Sequence, residues 1–147
     1  MLLRTSALRR VGLFNEVFFL YYEELDLCRR LQQAGHGLGW CRDSLVYHQG
    51  GSSTGGRSTV KGEESQLAAY HENLSTLLYT RRHHPWLLPL VAGLRFAGKS
   101  LVYLLKGRRS LFSPLWRAYR DFLLGRSARS RDPQAGEPRV MALGRLP

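Results

Sequence analysis

Three acids lie close together in this chain, Glu23, Glu24 and Asp26, and they are the first candidates for chemistry. A carboxylate can take a proton from an attacking hydroxyl, and a positioned base of this kind is worth roughly 10²–10⁴-fold in rate. The same acids also fall in what reads as the first turn of a helix, where negative charge suits the helix dipole and needs no further purpose. From spacing alone both readings stand. Asp26 and Arg30 are four residues apart with the acid first, the favourable order for a bracing pair. His48 follows a short apolar run, as a structural histidine or a metal ligand would. The glycine-rich run 50–56 could border a phosphate, but such loops are common. Cys28 and Cys41 have neither a close-paired metal spacing nor a disulfide pattern, so a reduced, cytosolic setting is the simplest reading. Cys28 reads as a small buried apolar residue. His83 and His84 read as a helix end, where cations are favoured.

These residues need elements to position them. Gly12-Leu13-Phe14-Asn15 is a turn signal, and it runs into an aromatic cluster at 18–22 that reads as core. A helix follows, with Leu27, Leu31 and Ala34 on one face and Gly35 as its stop. Residues 37–42 and 44–48 read as two short extended segments around Asp43. A second helix is predicted from about 63 to 84, ending before Pro85, with Leu67, Tyr70, Leu74 and Leu77 or Leu78 on its buried face. Residues 87–106 are apolar with a sparse basic stripe, because Arg95, Lys99 and Lys106 fall within about 40° of one another at 100° per residue. A third helix is expected after Ser113-Pro114, ending at Gly125, with Trp116, Tyr119 and Leu123 on one face. Beyond Arg126 the composition predicts a disordered tail.

The formal net charge is +11 over 147 residues. It divides as +2 before Arg95 and +9 from Arg95 onward, so the acids and the basic surplus belong to different parts of the chain. Such a surplus implies an anionic partner. The N-terminus has no apolar run long enough for a signal peptide. Arg95 and Lys99 interrupt the one stretch that approaches a membrane span. The basic third is either a solvated face or an in-plane helix on an anionic bilayer, where each basic residue contributes ~1 kcal/mol. The second reading suits its apolar body and is the one favoured here.

Several ordered blocks resemble the rhamnosyltransferase-like branch of the bacterial family 2 glycosyltransferases. The string from Val11 to Arg30 is similar to that family's Gly-x-Phe-Asp-Glu, aromatics, then Glu-Asp-x-Asp-Leu-Cys-x-Arg. Ala34-Gly35, Trp40, Asp43 and the run 46–54 resemble its next block, which ends in a Val-x-His-x-Gly-Gly-x-Ser-like string. Residues 70–85 resemble its helix ending in Arg-Arg-His-x-Pro. The matching blocks cover about residues 1–85.

The resemblance implies an α/β fold: the C-terminal, acceptor-side half of a GT-A glycosyltransferase, with an incomplete sheet and a helical basic extension. The expected organisation is an acceptor-binding half at 1–84, an amphipathic membrane-associating extension at 85–126 and a basic tail at 127–147. The implied reaction is inverting transfer of a sugar from a nucleotide-diphosphate donor to a lipid-linked or polysaccharide acceptor, in bacterial cell-surface polysaccharide synthesis. Glu24 is the implied base, Glu23 a supporting acid, Asp26 a further member of the acidic site and Arg30 its structural support. The family usually carries Asp where this chain has Glu24, so the carboxylate reaches about one methylene further. His48 resembles a family histidine at the site of a divalent cation, Mg²⁺ or Mn²⁺, held mainly by an Asp-x-Asp motif in the other half. No Asp-x-Asp occurs here, so half of the donor site is absent and the chain reads as a truncated product, inactive alone. The implied location is cytoplasmic, peripheral on the inner face of the cell membrane. The rival reading is a basic nucleic-acid-binding protein, which the lack of a recognisable nucleic-acid module disfavours, or a non-catalytic membrane-associated protein.

Overall fold

The computed structural model describes residues 1–47 and 65–126. Five helices account for most of them: α1 Thr5–Val11, α2 Glu23–Gln33, α3 Gln66–His83, α4 Leu88–Leu105 and α5 Phe112–Leu123. Short 3₁₀ turns at Pro85–Leu87 and Arg109–Leu111 lead into α4 and α5.

No strand occurs among the described residues, which corrects the expected α/β half-fold. A strand satisfies its N–H and C=O groups only across a neighbouring strand. Of the segments read as extended, 37–42 and 44–48, the described residues have no such neighbour. Ser44 N donates to Cys41 O (3.5 Å), a turn rather than a ladder. The apolar side chains of both segments, Leu38, Trp40, Leu45, Val46 and Tyr47, are all exposed, with Trp40 at 92%.

Helix α2 begins and ends where its sequence directs. Leu27 and Leu31 are buried and pack with Ala7 of α1, flanked by Leu3, Leu8 and Val11. The α2 chain is turned away at Gly35, whose φ of +82° is open to glycine without strain. His36 N then donates to Leu31 O (2.9 Å) and Gly35 N to Gln32 O (3.0 Å), the paired bonds of a Schellman stop. Gly125 (φ +67°) closes α5 in the same way.

Helix α3 is the centre of the molecule. Ser65 caps it, its Oγ accepting from Ala68 N at 3.1 Å. Ser65→Ala removes that acceptor and lowers stability by about 1 kcal/mol, measurable by urea unfolding. Leu74 and Leu78 pack with Phe18 and with Ala118 of α5. Ala69 packs with Tyr103 of α4 and with Leu111 and Leu115. Leu67, expected on the buried face, is exposed. Several polar residues of α3 are buried instead, and helix carbonyls take up two of them: Asn73 Nδ2 donates to Ala69 O (2.7 Å) and Thr80 Oγ1 to Thr76 O (2.8 Å).

Helix α5 buries a different face from the one that carries Trp116 and Leu123. Leu115, Ala118 and Asp121 are buried, while Trp116 and Leu123 are exposed. The core takes the small and aliphatic positions at i and i+3, and the aromatic face lies about 100° away around the helix.

Helix α4 is turned opposite to its expected role. Arg95 and Lys99 face α3, where Arg95 Nη2 meets Glu72 Oε1 (2.7 Å) and Lys99 Nζ meets Glu72 Oε2 (2.8 Å). Arg95 Nε also donates to Asn73 Oδ1 (2.9 Å). Two of the three stripe cations are therefore an internal latch, not a basic surface.

Candidate acidic site at the start of helix α2

The turn that delivers the acids is strained. Tyr21 and Tyr22 both hold left-handed backbone, with φ of 66° and 69°. Such conformations cost non-glycine residues about 1–3 kcal/mol each and persist only where the surroundings enforce them. Here α3 enforces them. Ser75 Oγ donates to Leu20 O (2.8 Å). Thr76 Oγ1 gives its one proton to Glu72 O (2.6 Å), so the Tyr22 hydroxyl, 3.1 Å away, donates to Thr76. The Tyr22 ring lies against Tyr79, with centroids 5.2 Å apart. Phe18 is buried just upstream, and exposed Phe19 lies against His71 at 4.9 Å. Burial holds His71 below the ordinary imidazole pKa, which favours its neutral form.

The three acids emerge from this turn into three different environments. Glu24 is exposed to solvent. Glu23 is half-buried, and its Oε2 is enclosed without a hydrogen-bond partner among the described residues. Asp26 is fully buried. Its Oδ2 meets Arg30 Nε at 2.8 Å, and its Oδ1 meets His83 Nε2 at 2.8 Å and Arg82 Nε at 3.2 Å. Burial pushes the Asp26 carboxyl up. The hydrogen bonds from His83 and Arg30, with the charges of Arg30 and Arg82, outweigh that and hold it below the ordinary carboxylate value.

Arg30 extends this cluster backwards. Its Nη1 donates to Val11 O (2.7 Å) and its Nη2 to Leu13 O (2.7 Å). One guanidinium thus ties the Gly12 turn to α2, while Asp26 ties α2 to the end of α3. The expected Asp26–Arg30 pair is present, with Arg82 and His83 as additional partners. Those two were legible only as helix-end cations, since nothing local in the sequence signals a contact 57 residues away.

The 36% identity over 90 residues, 61% of this chain, is to N-acetylglucosaminyl-diphospho-decaprenol L-rhamnosyltransferase of Mycobacterium tuberculosis, in strains CDC 1551 / Oshkosh and ATCC 25618 / H37Rv. The chain is glycosyltransferase-like over that stretch. The matched stretch spans 28% of the length of these curated relatives. No family model and no solved structure matches the chain.

His48 and the glycine-rich run 50–56 lie outside the described residues. Among the described residues, no group of three or more His, Cys, Asp or Glu side chains is placed to hold a metal ion. Asp26 has both oxygens engaged, which leaves Glu23 and Glu24. The described residues therefore do not compose a divalent-cation site.

Proposed function

We propose that this chain is the acceptor-side part of a glycosyltransferase that moves a sugar, with inversion, from a nucleotide-diphosphate donor to a lipid-linked or polysaccharide acceptor. The process would be bacterial cell-surface polysaccharide synthesis at the cytoplasmic face of the membrane. The relatives' name specifies a decaprenol-diphosphate-linked N-acetylglucosamine as acceptor, and we carry over that class: a sugar on a polyprenyl diphosphate.

The supporting observation is the contrast among the three acids. Glu24 is open to solvent in the first turn of α2, just after the turn clamped by α3, while Asp26, two residues on, is sealed by three partners. Glu24 is the base in this reading. It takes the proton of the acceptor hydroxyl as that oxygen bonds to the anomeric carbon. The bond from that carbon to the donor diphosphate breaks, and the nucleotide diphosphate leaves with the electron pair. Glu23, half-buried beside Glu24, accepts a hydrogen bond from the acceptor sugar through its carboxylate in this reading. Asp26 and Arg30 are positioning residues. The divalent cation implied by the resemblance would be held by residues outside those described, His48 among them.

The chain lacks an Asp-x-Asp motif, so we expect the pure 147-residue protein neither to hydrolyse nor to transfer a sugar from a nucleotide-diphosphate donor. Release of nucleotide diphosphate by this chain alone, above a no-protein control, contradicts that. Acceptor binding is the positive test. A water-soluble short-chain polyprenyl diphosphate bearing N-acetylglucosamine should bind the wild-type chain, and Glu23→Ala should weaken it by roughly tenfold, the worth of one hydrogen bond to a charged group. Equal binding by the polyprenyl diphosphate without its sugar would sink the assignment of Glu23.

A further inference from the structure

Helix α4 carries its two charges inward and its leucines outward. Set Leu90 at 0° and advance 100° per residue: Leu101, Leu94 and Leu105 then fall at about 20°, 40° and 60°, and Leu104 at about −40°. Arg95 and Lys99 fall at about 140° and 180°, on the opposite side. The side chains agree with this wheel. Leu90, Leu94, Leu101, Leu104 and Leu105 are all exposed, with Leu105 at 77% and Leu94 at 67%, while Tyr103 is the buried residue of the helix. Among the described residues, Pro85–Leu105 is long and apolar enough to cross a membrane by length and composition. The two cations that would oppose contact with lipid are matched to Glu72, so the outer face is a continuous apolar strip.

We propose that this outer face of α4 is a bilayer-docking surface that lies in the membrane plane among the acyl chains. Its occupant is an anionic lipid surface, not a second copy of the chain. The strip runs about 22 Å from Leu90 to Leu105 at 1.5 Å per residue. Exposed Lys106 and Arg109 follow at its C-terminal end, where lipid phosphates would meet them. Exposed Trp86 stands at the other end, suited to the headgroup boundary. Charge decides between the occupants: the chain carries +11, so a second copy is repelled while an anionic bilayer attracts. Docking here is chiefly apolar insertion, because the inward latch removes Arg95 and Lys99 from the lipid-facing charge. The proposal deepens the reading of a membrane-borne acceptor, and its test uses no sugar, so either can fail without the other.

The test is flotation of the full chain with phosphatidylcholine vesicles, with and without phosphatidylglycerol, at low and high salt. We expect binding to the anionic vesicles that persists in part at high salt, with a blue shift of tryptophan emission. The double variant Leu94→Glu, Leu101→Glu should lower it by more than tenfold with an unchanged circular dichroism melt, since both side chains are already exposed. Lys106→Gln with Arg109→Gln should lower the salt-sensitive part by roughly fivefold per residue. Three outcomes overturn the proposal: no binding to anionic vesicles, binding unaltered by the two glutamates, or a vesicle-free dimer that the glutamates dissolve.

Discussion

Asp26→Ala lowers the stability of the folded chain by about 3–5 kcal/mol, because it removes one side of a buried charge cluster and leaves the other side in place. Arg30, Arg82 and His83 would then face one another without their shared carboxylate. Most domains have only about 5–15 kcal/mol to lose, so the variant approaches unfolding at ambient temperature. Urea unfolding followed by circular dichroism measures the difference. A loss below about 1 kcal/mol would show that the cluster is incidental.

The pH dependence has a definite sign. The Asp26 carboxyl lies below its ordinary value of 3.8 when folded, so the folded state favours the ionised form. Its contribution is complete above that value and is lost as the pH falls below 3.8 toward the folded-state value. Wild type should therefore lose stability on acidification through this window. Asp26→Asn should be weaker at neutral pH and show less further loss there. Parallel curves for the two proteins would contradict the assignment.

Glu24→Gln lowers sugar transfer on the order of 10²–10⁴-fold when the donor-binding half is supplied in the same polypeptide. The amide keeps shape and exposure but cannot take the proton. Because Glu24 is exposed, its melting temperature should not move, which separates it from Asp26. Glu24→Asp tests reach: it restores the residue usual in the resembled family and withdraws the carboxylate by about one methylene. Misplacement near 1 Å can change rates by about 10²-fold, so this variant should differ clearly from wild type in kcat. Undiminished transfer by Glu24→Gln would move the base to another residue, with Glu23 next in line.

Much of this site was legible from the chain and part of it was not. Helix α2, its stop at Gly35 and the Asp26–Arg30 brace depend on contacts within a few residues, which spacing encodes. The end of α3 before Pro85 is equally local. The α/β reading failed because strand formation depends on a neighbour, and residues 37–47 present none among those described. Arg95 and Lys99 share a face of α4 as expected, while Lys106 falls just beyond the helix, and periodicity cannot say whether a charged face points in or out. That depended on Glu72, more than twenty residues upstream. Which face of α5 packs was not legible, because the close approach of α3 selects Ala118, a small residue that periodicity does not single out.

The clamp on the Tyr21–Tyr22 turn has a consequence for the order in which the chain matures. Leu20 is gripped by Ser75 and Asp26 by His83, separations of 55 and 57 residues. Contacts of that range form late, after a long loop has closed. On a ribosome, α2 would emerge well before the helix that fixes its entry. Phe18 and Tyr22 would meanwhile be uncovered, and exposed aromatics of this kind invite aggregation. The acid at Glu24 thus acquires its aim only once synthesis has passed His83, so a nascent chain stalled before that residue would carry the helix without its direction.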